Sequence, residues 1–165
     1  MVFNFNAAEV FQVAVQIEEN GRRFYQEGLK QIDDPEVKRL FEELAREEVE
    51  HRKKFESLLA ELPKEAFSPT VFDPEDQKNQ YIQMMADQHV FVQAEGMGRL
   101  LAGLGSMQDA LKLAIEFEKD SVIFFLSMQD ATEGKRGKEL INLLIKEEQE
   151  HLRRLSASLH RVTRK

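Results

Sequence analysis

Hydrophobic and polar positions along the chain follow the period of an α-helix in four long segments. Apolar residues recur at spacings of three and four, and charged residues fill the remaining faces. No segment shows the residue-by-residue alternation that is typical of a half-buried strand. The pattern predicts an all-α protein of two helical hairpins, 6–62 and 106–162. A crossover, 63–105, joins them and contains an extra helix at about 74–95.

Helix starts are marked by capping residues. Asn6 is followed three residues later by Glu9, as in a capping box, and Asp34 precedes a proline at the first helical position. Ser106 is followed by Asp109 at the same spacing. We therefore expect helices from Asn6 to about Leu29, from Pro35 to about Leu62, and from Ser106 onward, with the last helix ending near Arg161.

The two hairpins are an internal repeat with an offset of 100 residues. The first helix of each carries matching residues on its apolar stripe: Phe11 and Leu111, Ala14 and Ala114, Glu18 and Glu118, Gly21 and Ser121, Tyr25 and Phe125. The second helices match as well, since each contains Glu-x-x-His. The small residues beside Glu18 on this stripe are expected to leave room for something next to it.

Six polar residues of the repeat lie on stripes where the helical period requires apolar side chains. They are Glu18, Glu48, His51, Glu118, Glu148 and His151. In each Glu-x-x-His the carboxylate and the imidazole share one helix face. An ionised carboxylate in an apolar interior is unfavourable unless it is paired or coordinated. A single Glu-x-x-His usually lies on a solvated face, but its duplication inside the core stripe predicts a metal site.

Four acidic neighbours of these residues fall off the stripes and are expected to be solvated: Glu47, Glu50, Glu147 and Glu150.

The four carboxylates of the six-residue set itself would balance the charge of two divalent cations, which explains how such a cluster can be buried. Carboxylates with one imidazole per metal favour iron or manganese, and zinc remains possible. A purely structural polar core is disfavoured because the six residues lack cations to neutralise them.

Length, composition and charge exclude several classes of site and function. The 165 residues suggest one domain, and the absence of cysteine excludes disulfides and thiolate-bound metals. A net charge of −7, with acids and bases interleaved, argues against nucleic-acid binding. The first residues do not resemble a signal peptide, and no apolar run is long enough to span a membrane. We expect a cytoplasmic protein with no membrane association.

The six residues and their order resemble the rubrerythrin branch of the ferritin-like superfamily. The resemblance covers both hairpins and implies a ferritin-like four-helix bundle with two iron ions. It implies that Glu48 and Glu148 bridge the ions. Glu18 and Glu118 would then be terminal carboxylates, each paired with one histidine. Tyr25, seven residues after Glu18, would be a hydrogen-bonding or radical-capable group beside the metals.

Two features depart from rubrerythrin itself. Ser121 stands where rubrerythrin has an additional carboxylate, and the four cysteines of a rubredoxin domain are absent. The resemblance therefore implies an external electron donor, such as a rubredoxin-type protein, and an oligomer that is usually a dimer. We expect a homodimer.

The leading functional hypothesis is a non-haem di-iron oxidoreductase that acts on peroxide or dioxygen. A ferroxidase or iron-handling protein would use the same six ligands, and would require a hollow shell or a storage partner. A metal-stabilised interaction bundle without turnover is the third alternative, and redox-inert zinc would be its signature.

Overall fold

Four long helices make up most of the computed structural model, which describes residues 7–62, 64, 99–131 and 135–164. They are α1 (Ala7–Gly28), α2 (Pro35–Glu61), α3 (Met107–Ala131) and α4 (Lys135–Thr163). The described ranges contain no strand, so the prediction of an all-α four-helix bundle is confirmed. The crossover helix expected at 74–95 lies outside the described residues, and the division into 6–62, 63–105 and 106–162 stays a prediction.

The helices pair as the repeat predicts. α1 packs along α2 and α3 packs along α4, and the two hairpins meet through contacts of α1 with α3 and of α2 with α4. All stripe residues predicted from the sequence are buried in one core. None of the described helices is long and apolar enough to cross a bilayer.

Helix ends lie close to the predicted positions. A single turn of 3-10 helix, Leu29–Gln31, follows α1, and α2 starts at Pro35. Asp34 caps α2 by accepting hydrogen bonds from the backbone N–H groups of Glu36 and Val37, at 3.0 and 3.1 Å. Arg161 near the end of α4 donates to both oxygens of the Asp34 carboxylate. This ion pair links the start of α2 to the end of α4, and so joins the two hairpins.

Aromatic rings close the core on both sides of the six polar residues. On one side, the ring of Tyr25 packs edge-on against Phe41 and Phe117, with centroids 5.2 and 6.2 Å apart. On the other side, Phe55 packs against Phe11 and Phe125, at 6.3 and 5.0 Å. Except for Phe117, which directly precedes Glu118, these rings come from positions seven residues before or after a buried glutamate, which is two helical turns. They separate the polar layer from the ends of the bundle.

Candidate metal centre

The structure brings all six predicted ligands together in the middle of the bundle. Each is almost completely buried, with at most 3% of its surface exposed: Glu18, Glu48, His51, Glu118, Glu148 and His151. One glutamate comes from each of α1 and α3, and one Glu-x-x-His comes from each of α2 and α4. Because the helical period puts these residues on the apolar stripes, packing the stripes inward makes the polar groups converge.

The donor atoms form two overlapping groups. Glu18, Glu48, His51 and Glu148 offer one ligand atom each within 4.8 Å of one another, and so do Glu48, Glu118, Glu148 and His151. Only the carboxylates of Glu48 and Glu148 belong to both groups. This overlap is the geometry expected when two ions share two carboxylates.

The imidazoles face the carboxylates through Nδ1. His51 Nδ1 lies 2.6 Å from Glu148 Oε1 and 3.5 Å from Glu18 Oε2. His151 Nδ1 lies 3.2 Å from Glu148 Oε2 and 3.3 Å from Glu118 Oε1. The two rings stack nearly in parallel, with their centroids 5.3 Å apart. Each histidine therefore belongs to one of the two groups, and the two halves are arranged alike.

Most of the converging atoms have no hydrogen-bond partner. Both oxygens of Glu18, Glu48 and Glu148, one oxygen of Glu118, and Nδ1 of both histidines are buried and unpartnered, and even the close His51–Glu148 approach lacks hydrogen-bond geometry. Buried polar atoms are nearly always satisfied, and leaving a charged one unsatisfied is costly. The donor set of carboxylate oxygens and imidazole nitrogens suits two iron ions, and their presence would satisfy these atoms.

Without cations, burial and charge strongly perturb the protonation of the carboxylates. Burial, reinforced by the nearby Glu18 and Glu148 carboxylates, raises the pKa of Glu48 well above its ordinary value. Burial and then the Glu148 carboxylate raise the pKa of Glu118 to about 8. Burial alone would raise the pKa of Glu148 too, but the two adjacent imidazoles outweigh burial and lower it.

The pKa values of the two histidines are raised as well, here by the carboxylates and against the effect of burial. Burial opposes a charge on His151, but the Glu118 and Glu148 carboxylates outweigh it and raise the pKa of His151 to about 12. Burial acts on His51 in the same way, and Glu148 with Glu147 raises its pKa well above the ordinary range. Protons thus take the place of cations in the metal-free cluster.

The expectation that four neighbouring acids are solvated was wrong for two of them. Glu50 and Glu150 are exposed as expected, but Glu47 and Glu147 are only partly exposed and contact the buried histidines across the bundle. Their positions at the edge of the stripe are exposed in a single helix. They become partly covered only where α2 and α4 pack together, which helical periodicity alone does not reveal.

Tyr25 lies beside the cluster, as the resemblance implied, and its hydroxyl donates a hydrogen bond to Glu118 Oε1. Burial and then the Glu118 carboxylate raise the pKa of Tyr25 well above its ordinary value, so the phenol keeps its proton. The equivalent Phe125 has no hydroxyl, and both oxygens of Glu18 lack a hydrogen-bond partner.

The space beside Gly21 is used by a ring of the protein. A Cβ atom at Gly21 would lie 2.5 Å from the tip of Phe117 and 3.3 Å from the carboxyl carbon of Glu48. The small residue therefore admits Phe117 of α3 next to the cluster, which accounts for the room predicted there. Ser121, at the equivalent position of the repeat, is also buried.

A polar cleft of about 220 Å³ opens over the two histidines. It is lined by two histidines, four acids and two bases: His51, His151, Glu47, Glu50, Glu147, Glu150, Lys54 and Arg154. The buried cluster is thus shielded along the bundle axis by aromatic rings, while its imidazole side faces this cleft.

The bundle and its buried cluster define a class of protein, the ferritin-like di-metal carboxylate proteins. A crystal structure from Thermotoga maritima, described as a ferritin-like diiron-carboxylate protein, has the same fold, with a TM-score of 0.67 and 22% sequence identity. The match covers 95% of this chain and 96% of that chain. Among curated proteins, none matches the chain significantly.

A comparison with models of protein families identifies the family to which the chain belongs within this class. The family model for rubrerythrin matches residues 9–159, and the chain therefore belongs to the rubrerythrin family. This match covers both hairpins and all six residues of the cluster. Together with the buried carboxylates and histidines, it indicates two iron ions as the cofactor.

Proposed function

We propose that the protein is a non-haem di-iron oxidoreductase that reduces peroxide or dioxygen. The observation that supports this most strongly is the set of unpartnered buried donor atoms, which form two groups sharing Glu48 and Glu148. Two ions would give each group a cation of its own, whereas a single ion would leave one histidine and one glutamate without a partner.

The ligand roles follow from the distances. Glu48 and Glu148 are proposed to bridge the two ions. Glu18 and His51 would complete the surroundings of one ion, and Glu118 and His151 those of the other. When bound, two iron ions would supply the electrons for cleavage of an O–O bond.

The protein's own residues would control access and protons. The aromatic rings at both ends of the polar layer exclude water, and the cleft above the histidines offers a route for a small oxidant. Tyr25 holds a proton on a buried hydroxyl that contacts Glu118. This places a hydrogen-bond donor next to one of the two proposed ion positions.

Electrons are proposed to come from a separate donor, such as a rubredoxin-type protein, since the chain has no cysteine to hold an iron–sulfur centre. A homodimer and a cytoplasmic location remain predictions. Sizing of the loaded protein tests the first of these, because a mineral-storing protein would instead form or join a large hollow shell.

Rapid mixing of the Fe(II)-loaded protein with peroxide or with dioxygen tests the proposal. We expect optical oxidation by at least one oxidant, followed by repeated turnover when a chemical reductant is supplied. Glu48→Gln should lose this activity, while Glu50→Gln, on the exposed side of the same helix, should retain it. One round of oxidation followed by mineral growth would favour a ferroxidase. Loaded protein that reacts with neither oxidant would contradict a redox role and favour the metal-stabilised bundle.

A further inference from the structure

We infer that Glu47 and Glu147 are positioning residues that orient the two histidines toward the metals from opposite helices. The inference rests on the proposed function, because it assigns Nδ1 of each histidine to an ion. The two glutamates immediately precede Glu48 and Glu148 in the chain, but each acts on the histidine of the other hairpin.

The contacts are crossed. His51 on α2 approaches Glu147 on α4, with 3.0 Å between Nε2 and Oε2. His151 on α4 approaches Glu47 on α2, with 2.9 Å between the corresponding atoms. In both cases Nε2 points outward to a carboxylate, while Nδ1 points inward to the cluster and has no hydrogen-bond partner.

For the neutral imidazole, the form that binds a metal, this arrangement selects one tautomer of each ring. A carboxylate that accepts a hydrogen bond holds the proton on Nε2, and the lone pair of Nδ1 is then free for a metal. It also fixes the rotation of the ring. A histidine without such a partner could place its proton on either nitrogen, and only one of these forms binds an ion through Nδ1.

Both carboxylates are themselves held in place by a base. Lys54 Nζ lies 2.8 Å from Glu147 Oε2, and both Lys54 and His51 belong to α2. Arg154 donates to Glu47 at 2.8 Å and reaches Glu43 at 2.7 Å. Because the repeat has Leu143 in place of a second Glu43, Lys54 lacks the corresponding second acid. Arg154 therefore links Glu47 to a second acid of the same helix, Glu43.

The cleft supplies matched controls. Glu50 and Glu150 line the same opening, yet they pair with Lys53 and Arg153 on their own helices. They share charge, helix and proximity with Glu47 and Glu147, but their ion pairs are with Lys53 and Arg153 and not with a histidine. A general effect of negative charge at the cleft would thus affect all four residues, whereas positioning affects only two.

Zn(II) binding to four single variants of the full chain tests the inference, with the affinity measured by competition with a chelating dye. Glu47→Ala and Glu147→Ala should weaken one of the two binding events by about 10-fold to 100-fold. Glu50→Ala and Glu150→Ala should stay within about twofold of the wild type. Glu147→Gln should recover most of the loss, because its amide oxygen still accepts from Nε2–H.

A second readout reports the histidines directly. In the Zn(II)-loaded wild type, nitrogen-15 NMR should show both rings protonated at Nε2, with slowly exchanging protons. Glu147→Ala should change the exchange of the His51 signal and leave His151 unaffected, and Glu47→Ala should do the reverse. A merely structural role would lower thermal stability without this selective, crossed effect.

The outcomes separate the inference from the function beneath it. Wild-type affinity in both alanine variants, with slow Nε2–H exchange retained, would overturn the inference while leaving the metal centre intact. Equal losses in Glu50→Ala and Glu150→Ala would also overturn it, in favour of a general charge effect. If the wild-type protein binds neither Zn(II) nor Fe(II), the proposed function fails and the inference fails with it.

Discussion

The first hairpin, α1 with α2, and the second, α3 with α4, place equivalent ligands around one centre but differ in what surrounds them. Tyr25 of the first hairpin donates a hydrogen bond to Glu118 of the second, and the equivalent Phe125 offers nothing to Glu18. Glu43 binds Arg154, whereas the equivalent Leu143 is exposed. The two halves of the repeat thus have the same donor atoms but differ in the residues that contact the ligands and the cleft.

This difference implies that the two metal positions are not equivalent. The ion beside Glu118 would have a ligand that also accepts a hydrogen bond from a phenol. The ion beside Glu18 would have a terminal ligand free of such a hydrogen bond. Hydrogen bonds to a ligating carboxylate alter its donor strength, so the two ions should differ in affinity and reactivity.

The largest effect is expected from removing a carboxylate that belongs to both halves. Glu48→Gln should weaken the binding of both ions by more than about 100-fold, because it removes a shared ligand. Glu18→Gln should affect mainly one ion. Equilibrium dialysis with anaerobic Fe(II), followed by metal analysis, measures both. Equal behaviour of the two variants would contradict the assignment of Glu48 as the shared ligand.

Stability without metal gives a second test of Glu48→Gln. The variant removes a buried group whose pKa is raised by burial, so the metal-free variant should unfold at a temperature equal to or above that of the wild type. Added metal should then stabilise the wild type alone.

Metal binding should depend strongly on pH. The raised pKa values of Glu118, about 8, and of His151, about 12, mean that the metal-free cluster holds protons that cations must displace. Apparent affinity should therefore rise with pH, by about tenfold per pH unit for each proton released, and less steeply above about pH 8, where Glu118 has lost its proton.

The metal-free protein should respond to pH in the opposite sense. A folded-state pKa above the unfolded value stabilises the fold at low pH, and this contribution is lost as pH rises toward that pKa. For Glu118 the loss extends from about 4.5 to about 8, and for His151 it begins near 6.5. Thermal unfolding with and without metal should show a gap that widens with pH. A gap independent of pH would show that cations and protons do not compete.

Exchanging the tyrosine between the halves sharpens the comparison. Tyr25→Phe removes the hydrogen bond to Glu118 and should change affinity or turnover by about tenfold, with both ions still bound. Phe125→Tyr puts a hydroxyl at the equivalent position of the other half, where it could reach Glu18. The double variant should behave as a protein whose asymmetry is reversed. Unchanged kinetics in Tyr25→Phe would show that the phenol has no role.

The smallest effect concerns Gly21. Alanine favours a helix by about 1 kcal/mol over glycine, but here its Cβ would displace Phe117, and overpacking costs about 1–3 kcal/mol. Gly21→Ala should lower the free energy of unfolding by about 1 kcal/mol. Ser121→Ala adds no volume at the equivalent position and should not disturb Phe117. Urea unfolding of both variants checks this, and a more stable Gly21→Ala would mean that Phe117 moves at little cost.

Much of the fold could be predicted from the sequence because two features of the sequence agreed. Residues 100 apart matched in sequence, and the same stripes that predicted four helices contained all six polar residues of the cluster. Asp34, Pro35 and Ser106 marked two helix starts because capping is a local interaction. Convergence of Glu18, Glu48, His51, Glu118, Glu148 and His151 then followed from packing the stripes inward.

Interactions that depend on the packing of two helices were less accessible. The contacts of Glu47 and Glu147 with the opposite histidines arise where α2 meets α4, and neither helix reveals them alone. Phe117 of α3 fills the space at Gly21 of α1, and this contact likewise depends on how the two hairpins pack together. The sequence did contain one signal of these contacts. Bases repeat at positions 54 and 154 with the same offset of 100, and each contacts one of the two glutamates.

X-ray absorption at the iron edge of the Fe(II)-loaded protein tests the central claim most directly. Two ions that share Glu48 and Glu148 should give an iron–iron scattering path at about 3.5–4 Å, with oxygen and imidazole ligands around each ion. A spectrum with a single isolated iron, or with no iron–iron path when two ions are bound, would contradict the account.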